Sequence, residues 1–454
     1  MSEIPLDDIL RHLEIQLRHI VAAEEAEPVR ASRDPKESRA ALGLDLPQEG
    51  IGLDALSEKL KDLISATPAT TTSRFFNQLF GGRDWAAVLG DMLVPVLNNS
   101  MYTYKAAGPH VLIEQILVEK MGRLMGYTQP GGIFGPGGSV SNLTALILAR
   151  NEADQGVRDR GLTGRVHRVY TSAASHYSIR KSAGVAGIGR ENVIKIPVDS
   201  AGRMQPAALL AIIQADIARG YLPTMVNATL GTTVEGAFDP ILEIAPICRN
   251  TQTWLHLDGA WGSSMVLCPE YRHLFKGSEH SDSITWCAHK MMGVPLTASV
   301  LLTRRQELLT KHLNEDADYL FQQDDDWLNP GTRSLQCGRR NDVLKVWTAW
   351  QVHGDAGYAE RIRHLRQLVQ SAVEVIRAHP ELELVLEPES LNVCFRVKGS
   401  RPEDVCRALH REGRILVGYG TVAGESVMRV IFVNPHLDRS DVACFFREVL
   451  AVSK

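Results

Sequence analysis

Lys290 follows His289 at the end of an apolar run, Thr285, Trp286, Cys287 and Ala288, and is followed by Met291, Met292 and Gly293. A lysine amine in such surroundings condenses with an aldehyde and holds it as a Schiff base. Upstream, Trp254, Leu255, His256 and Leu257 read as a strand that delivers Asp258. A buried carboxylate there keeps a pyridine nitrogen protonated, and the protonated ring draws electrons from a bond conjugated with it. Lysine and aspartate together therefore point to pyridoxal phosphate as cofactor. Singly, most lysines are solvated and an Asp after a strand is commonly a cap or turn residue.

Two more features suit that chemistry. The glycine-rich segment 131–142 opens a helical pattern that continues to Arg150. Glycines let backbone amides approach an anion, and the first helical turn adds unpaired N–H groups and a favourable dipole, so a phosphate is well held there. A tight turn is the commoner use of such a loop. His176, between Ser175 and Tyr177, is either a satisfied histidine or a planar group for stacking on a ring.

These residues need a scaffold that brings them together. Runs at 169–171, 193–198, 224–230, 254–257, 283–286 and 299–303 read as strands, with helices at 206–219 and 240–250 between them. Such repeats require crossovers and predict an α/β fold: a mostly parallel sheet with helices on both faces and ligands at the carboxyl ends of the strands. Beyond residues 344–352, a helical pattern at 358–379, strands at 391–397 and 427–433 and a helix at 402–412 predict a small α+β domain. Near the start, Leu6, Ile9, Leu10, Leu13, Leu17, Ile20 and Val21 form one apolar helical face. It needs a partner, on its own chain or across a dimer. Residues 24–50 read as a connection, part of it compatible with helix. The division expected is an N-terminal helical segment, 1–66, a large cofactor-binding domain, 67–342, and a small domain, 343–454.

Composition narrows the partners. At 454 residues the chain exceeds one hydrophobic core, and 44% apolar with 22% charged residues is the balance of ordinary globular proteins. A net charge of -4 without a long basic block disfavours nucleic-acid and membrane-surface binding. Seven cysteines without a CxxC pair specify neither a disulfide framework nor a zinc cage, so no metal is expected and reduced, cytoplasmic thiols fit. Glu3, Asp7 and Asp8 are unlike a secretory signal, and no apolar run is long enough to span a bilayer.

Segments 75–79, 102–104, 131–142, 175–178, 231–239, 256–262, 289–294, 319–324, 336–339 and 429–435 resemble the group II pyridoxal phosphate decarboxylases, in particular the cysteine sulfinate, aspartate and glutamate decarboxylases. The resemblance runs from about residue 73 to the C-terminus. It implies the type I fold of pyridoxal phosphate enzymes, with a seven-stranded sheet, in a homodimer whose active site lies at the subunit interface. Carried over by position, Lys290 is the Schiff-base lysine and Asp258 the partner of the ring nitrogen. His176 stacks on one ring face, Ala260 covers the other, and Thr233 lies near the ring oxygen. Ser139, Val140 and His289 hold the phosphate, with the backbone of Cys337 and Gly338 arriving from the other subunit. Tyr319, in the specific run Tyr319, Leu320, Phe321, Gln322, Gln323, Asp324, is implied to reach in from the neighbouring subunit and protonate Cα after carbon dioxide leaves. Outside that match it would read as an aromatic packing a loop.

The resemblance also addresses substrate choice. Arg429 matches an arginine that grips the distal acid of the substrate, with Gln78 assisting; a guanidinium fork suits a carboxylate or sulfinate. An exposed arginine ending a strand is the plain alternative. Phe80, Ser100 and Tyr102 are similar to the cysteine sulfinate and aspartate enzymes, where glutamate decarboxylases usually carry serine, asparagine and phenylalanine. Two departures stand out: Cys287 and Ala288 replace the usual Asn-Pro before His-Lys, and Lys105 replaces a common glutamate. The expectation is a carboxy-lyase for a short acidic L-amino acid, cysteine sulfinate (to hypotaurine) or aspartate (to β-alanine), with glutamate (to GABA) as the alternative. An aminotransferase is disfavoured by Tyr319, and an inactive dimeric scaffold by intact Asp258, His176 and Lys290.

Overall fold

The computed structural model describes residues 4–30, 34–315 and 326–453. Among them, β1 (Gly131–Gly135), β2 (His167–Ser172), β3 (Val193–Ile196), β4 (Leu222–Thr229), β5 (Trp254–Gly259), β6 (Ser283–Cys287) and β7 (Ser299–Thr303) form one sheet in the order β1-β7-β6-β5-β4-β2-β3. The pairs from β3 through β6 are parallel, and β7 runs antiparallel to both β6 and β1. β5 and β6 are buried along their whole length, as a parallel sheet covered on both sides requires. Neighbouring residues of β4 face opposite ways: Met225 packs with Ala145 and Leu148 of the helix Gly138–Ala153, while Val226 joins the cluster holding Leu209 and Ile213 of the helix Pro206–Ala218.

The glycine-rich segment departs from its expected form. Its first five residues are β1 rather than part of an anion loop. A Cβ on Gly132 would lie 2.8 Å from the Leu301 carbonyl oxygen, so glycine lets β1 lie tight against β7. Only the turn at Pro136 and Gly137 and the helix from Gly138 remain for an anion.

Toward the C-terminus, β8 (Leu382–Leu384), β9 (Asn392–Val397), β10 (Gly418–Val422) and β11 (Glu425–Ile431) form an antiparallel sheet in the order β10-β11-β9-β8. The two helical patterns at 344–352 and 358–379 are halves of one helix, Val343–Ala378, interrupted at Gly354, where φ is 61°. Segment 75–81 is tied into the small sheet. Phe76 donates its N–H to Leu416 O at 2.8 Å and accepts from Ile431 N at 3.1 Å, and its ring meets those of Phe432 and Phe445.

The N-terminal helices Leu6–Ala26 and Leu53–Ala66 pack on each other, with buried Gln16 donating to Ser57 Oγ at 2.7 Å. Residues 24–50 include one short helix, Pro35–Ala41, capped by Asp34. The apolar face of the first helix is only partly covered, since Leu6 and Leu10 are 70% and 52% exposed. The helix Trp85–Leu97 likewise leaves Leu89 and Val96 61% and 82% exposed. Among the described residues no helix is long and apolar enough to cross a membrane.

Candidate active site

Because β2, β4, β5 and β6 run parallel, the chain leaves all four at one edge of the sheet. His176 follows β2, Thr233 follows β4, Asp258 and Ala260 lie at the end of β5, and His289 and Lys290 follow β6. Ser139 and Val140 occupy the first turn of the helix that follows β1.

Asp258 is buried between Thr229 and Thr285 of the neighbouring strands. Its Oδ2 accepts from Asn142 Nδ2 at 2.8 Å and its Oδ1 from the Ala260 N–H at 3.2 Å. Among the described residues no cationic side chain pairs with it. His176 Nδ1 accepts from the Ser178 N–H at 3.3 Å, so a neutral ring carries its proton on Nε2. Burial pushes the His176 pKa down; the charge of Asp258 opposes the shift and that of Lys290 adds to it. Lys290 is half-buried.

The helix N-terminus meets this group closely. A Cβ on Gly138 would stand 3.0 Å from Cys287 Sγ and 3.3 Å from Ala260 Cβ, so only glycine starts the helix here without displacing them. Cys287, where an asparagine was expected, is buried, and its Sγ contacts Ser299 Oγ at 3.4 Å. Burial raises its pKa, against the pull of Lys290, and keeps it a thiol. His289 is bound through Nδ1 to the Ala298 backbone at 2.9 Å; burial pushes its pKa down to about 4, leaving a neutral ring at pH 7. In the first helical turn Val140 and Ser141 donate their N–H groups to Gly137 O, which leaves the Gly138 and Ser139 amides without a backbone acceptor; with a buried carboxylate and a lysine amine after the next strand, these are groups that a phosphorylated pyridine aldehyde requires.

Arg429, on β11, is not the exposed arginine of the plain reading. Its Nη1 donates to Thr233 O at 3.0 Å and its Nη2 to Asn77 O at 2.6 Å, while Nε is buried without an acceptor. Among the described residues no carboxylate pairs with it, and burial pushes its pKa down. The guanidinium thus links the Thr233 loop to the segment carrying Gln78, which is exposed, and Phe80, whose ring lies 6.0 Å from that of Phe75.

The remaining candidates form a second group. Ser100 Oγ accepts from Arg339 N at 3.1 Å, and Tyr102 O accepts from Gly331 N at 2.9 Å. Cys337 and Gly338, just before Arg339, are exposed. Arg339 itself is buried in a two-pronged pair with Glu114, at 2.8 and 2.7 Å. No side-chain hydrogen bond among the described residues joins Ser100 or Tyr102 to Lys290 or Arg429. Tyr319 lies outside the described residues.

Sequence reasoning assigned no role to Asn142, His256 or the Glu114–Arg339 pair. For His256 a signal was present: it stands two residues before Asp258 in a strand, so the two side chains share a sheet face.

Residues 35–398 match the pyridoxal-dependent decarboxylase conserved domain. The chain belongs to the pyridoxal-dependent decarboxylase family. This decarboxylase is 37% identical over 435 residues to the cysteine sulfinic acid decarboxylase of Mus musculus, covering 90% of this chain and 88% of the relative. It is 34% identical over 445 residues to the acidic amino acid decarboxylase GADL1 of Bos taurus, with 93% and 85% covered. The crystal structure of mouse CSAD superposes with a TM-score of 0.91 at 33% identity, over 97% of this chain and 99% of that one. An Oryza sativa TDC structure with PLP and tryptamine reaches a TM-score of 0.93 at 24% identity, over 100% and 99%, and shares the fold. The chain is therefore a pyridoxal phosphate-dependent amino acid decarboxylase with the seven-stranded fold expected for it.

Proposed function

We propose that the chain removes the α-carboxylate of a short acidic L-amino acid, with cysteine sulfinate and aspartate preferred over glutamate. One observation carries the preference for acids: Arg429 is a half-buried cation whose Nε is buried without an acceptor, with no carboxylate partner among the described residues. A buried charge without a partner is costly, and an incoming acid group relieves that cost. The names of the two mammalian relatives, a cysteine sulfinic acid and an acidic amino acid decarboxylase, support the same substrate class.

Lys290 holds the cofactor aldehyde, and Asp258 keeps the ring nitrogen protonated. The bound cofactor supplies a sink for the electron pair released when the bond from Cα to the carboxylate breaks. His176 and Ala260 would contact the cofactor ring with Thr233 beside them, while Ser139, Val140 and His289 would hold the phosphate. Arg429, with Gln78, grips the distal acid, and that grip orients the bonds at Cα. Tyr319 delivers the proton to Cα. Phe80 shortens the pocket, and Ser100 and Tyr102 are the further positions at which the chain resembles the cysteine sulfinate and aspartate enzymes.

The active unit is a homodimer. Exposed Leu10, Leu89 and Val96 support this reading, since apolar helical faces left open to solvent are the kind of surface that association covers. Exposed Cys337 and Gly338 are then free to serve the neighbouring subunit's phosphate site. Cysteine sulfinate, aspartate, glutamate and aromatic amino acids, assayed for amine and carbon dioxide together, test the proposal. Turnover led by cysteine sulfinate or aspartate supports it. Turnover led by glutamate removes the Phe80, Ser100 and Tyr102 reasoning, and turnover led by aromatic amino acids removes Arg429 from the pocket.

A further inference from the structure

Behind Asp258 lies a chain of buried polar groups that the mechanism has not used. Asn142 Nδ2 donates to Asp258 Oδ2 at 2.8 Å and also reaches Ser178 Oγ at 3.1 Å. Asn142 Oδ1 lies 3.1 Å from His256 Nε2, and His256 Nδ1 lies 2.8 Å from Ser283 Oγ. Trp254 Nε1 donates to the same Ser283 oxygen at 2.9 Å. Asn142, His256 and Ser283 are each 0–1% exposed, so water does not substitute for any of these partners.

The donor and acceptor roles follow from the ends inward. An ionised carboxylate only accepts, so the face of Asn142 toward Asp258 is its NH2 and the face toward His256 is its oxygen. His256 must then donate from Nε2, which leaves Nδ1 as an acceptor. Only the Ser283 hydroxyl fills that need, and its oxygen is free to take the indole N–H of Trp254. Every group has one consistent role, and reversing any of them leaves a buried donor facing a donor or an acceptor facing an acceptor. Burial pushes the His256 pKa down to about 4, so the ring is neutral at pH 7, the form this assignment requires.

We propose that His256 and Asn142 are positioning residues that keep Asp258 ionised and aimed at the ring nitrogen, with Ser283 and Trp254 fixing the histidine tautomer. This rests on the reading of Asp258 as the ring-nitrogen partner. Donation from Asn142 stabilises the carboxylate as an anion, so the shared proton stays on the ring. Without it the carboxylate keeps only the Ala260 N–H and is free to turn away from the ring.

The test uses the apo chain and two cofactors, pyridoxal phosphate and its 1-deaza analogue, in which C–H replaces the ring nitrogen. Dissociation constants come from absorbance titration. The unaltered chain should prefer pyridoxal phosphate. In Asn142→Leu and His256→Leu that preference should shrink by roughly ten- to a hundredfold, the range for losing a hydrogen bond to a charged group, while affinity for the analogue holds. His256→Gln, whose amide donates near the Nε2 position, should recover most of the preference. If the leucine variants do not fold, Ser283→Ala frees the tautomer with a one-atom deletion and should still lower the preference. No preference in the unaltered chain overturns the Asp258 reading and this proposal with it. A preference that survives in the folded variants, or affinities for both cofactors that fall in parallel without rescue by glutamine, overturns the proposal alone.

Discussion

Arg429→Met separates recognition of the substrate's acid group from every other function of the site. The guanidinium carries five N–H donors, of which one goes to Thr233 O and one to Asn77 O, leaving three for an incoming acid. A two-pronged contact with carboxylate or sulfinate uses two charge-assisted hydrogen bonds of about 1.5–3 kcal/mol each. Losing both costs about 3–6 kcal/mol, or roughly a hundred- to ten-thousandfold in kcat/KM for the acidic substrate. Two opposing effects keep the free chain near its original stability: the Thr233 and Asn77 carbonyls lose donors, while a desolvated cation disappears. The assay compares kcat/KM for cysteine sulfinate or aspartate with that for a neutral amino acid of similar length, alongside calorimetry of the apo chain. A loss confined to the acids is the expected result. A loss under about tenfold, or an equal loss on the neutral substrate, refutes the placement of Arg429 at the substrate.

Phe80→Ser lengthens the pocket and should shift relative kcat/KM toward glutamate by roughly ten- to a hundredfold, the worth of one methylene in a fitted apolar site. Glu114→Leu leaves Arg339 as an unpaired buried cation. It should lower unfolding free energy by about 3–5 kcal/mol in urea titrations and weaken cofactor retention by loosening the neighbouring Cys337 and Gly338. His256 and His289 both have pKa values depressed to about 4, so between the ordinary histidine value and pH 4 the unfolded chain binds more protons than the folded one. Stability of the apo chain should therefore fall with pH across that window, by up to roughly 3 kcal/mol per ring, and His256→Gln should flatten the slope in urea midpoints measured from pH 7 to pH 5.

The strands β6 and β7 were legible as short runs rich in apolar and β-branched residues, Ser283–Cys287 and Ser299–Thr303. β1 was not, since its glycines carry no strand preference, and Gly131 and Gly132 are glycine for close approach to β7. The two helical patterns around Gly354 were each visible, but their continuity through one kinked helix was not. At the candidate site, Lys290, Asp258 and His176 were singled out because the chemistry names their types. Asn142 and His256 act on another side chain rather than on a ligand, and their types alone announce nothing. Charge compensation is the other hidden property. That, among the described residues, Asp258 pairs with no cation and Arg429 with no anion depends on what surrounds them in space. Ser100 and Tyr102, grouped by resemblance with Phe80, are instead hydrogen-bonded to segment 331–339, which carries Cys337 and Gly338.

The most direct test of the account is reductive trapping. Apo chain incubated with pyridoxal phosphate, treated with borohydride and digested should carry the cofactor on the peptide containing Lys290. Lys290→Ala should show neither that adduct nor the visible absorption that precedes it. An adduct on another lysine, or a visible band that persists in Lys290→Ala, would contradict the assignment on which every role proposed here depends.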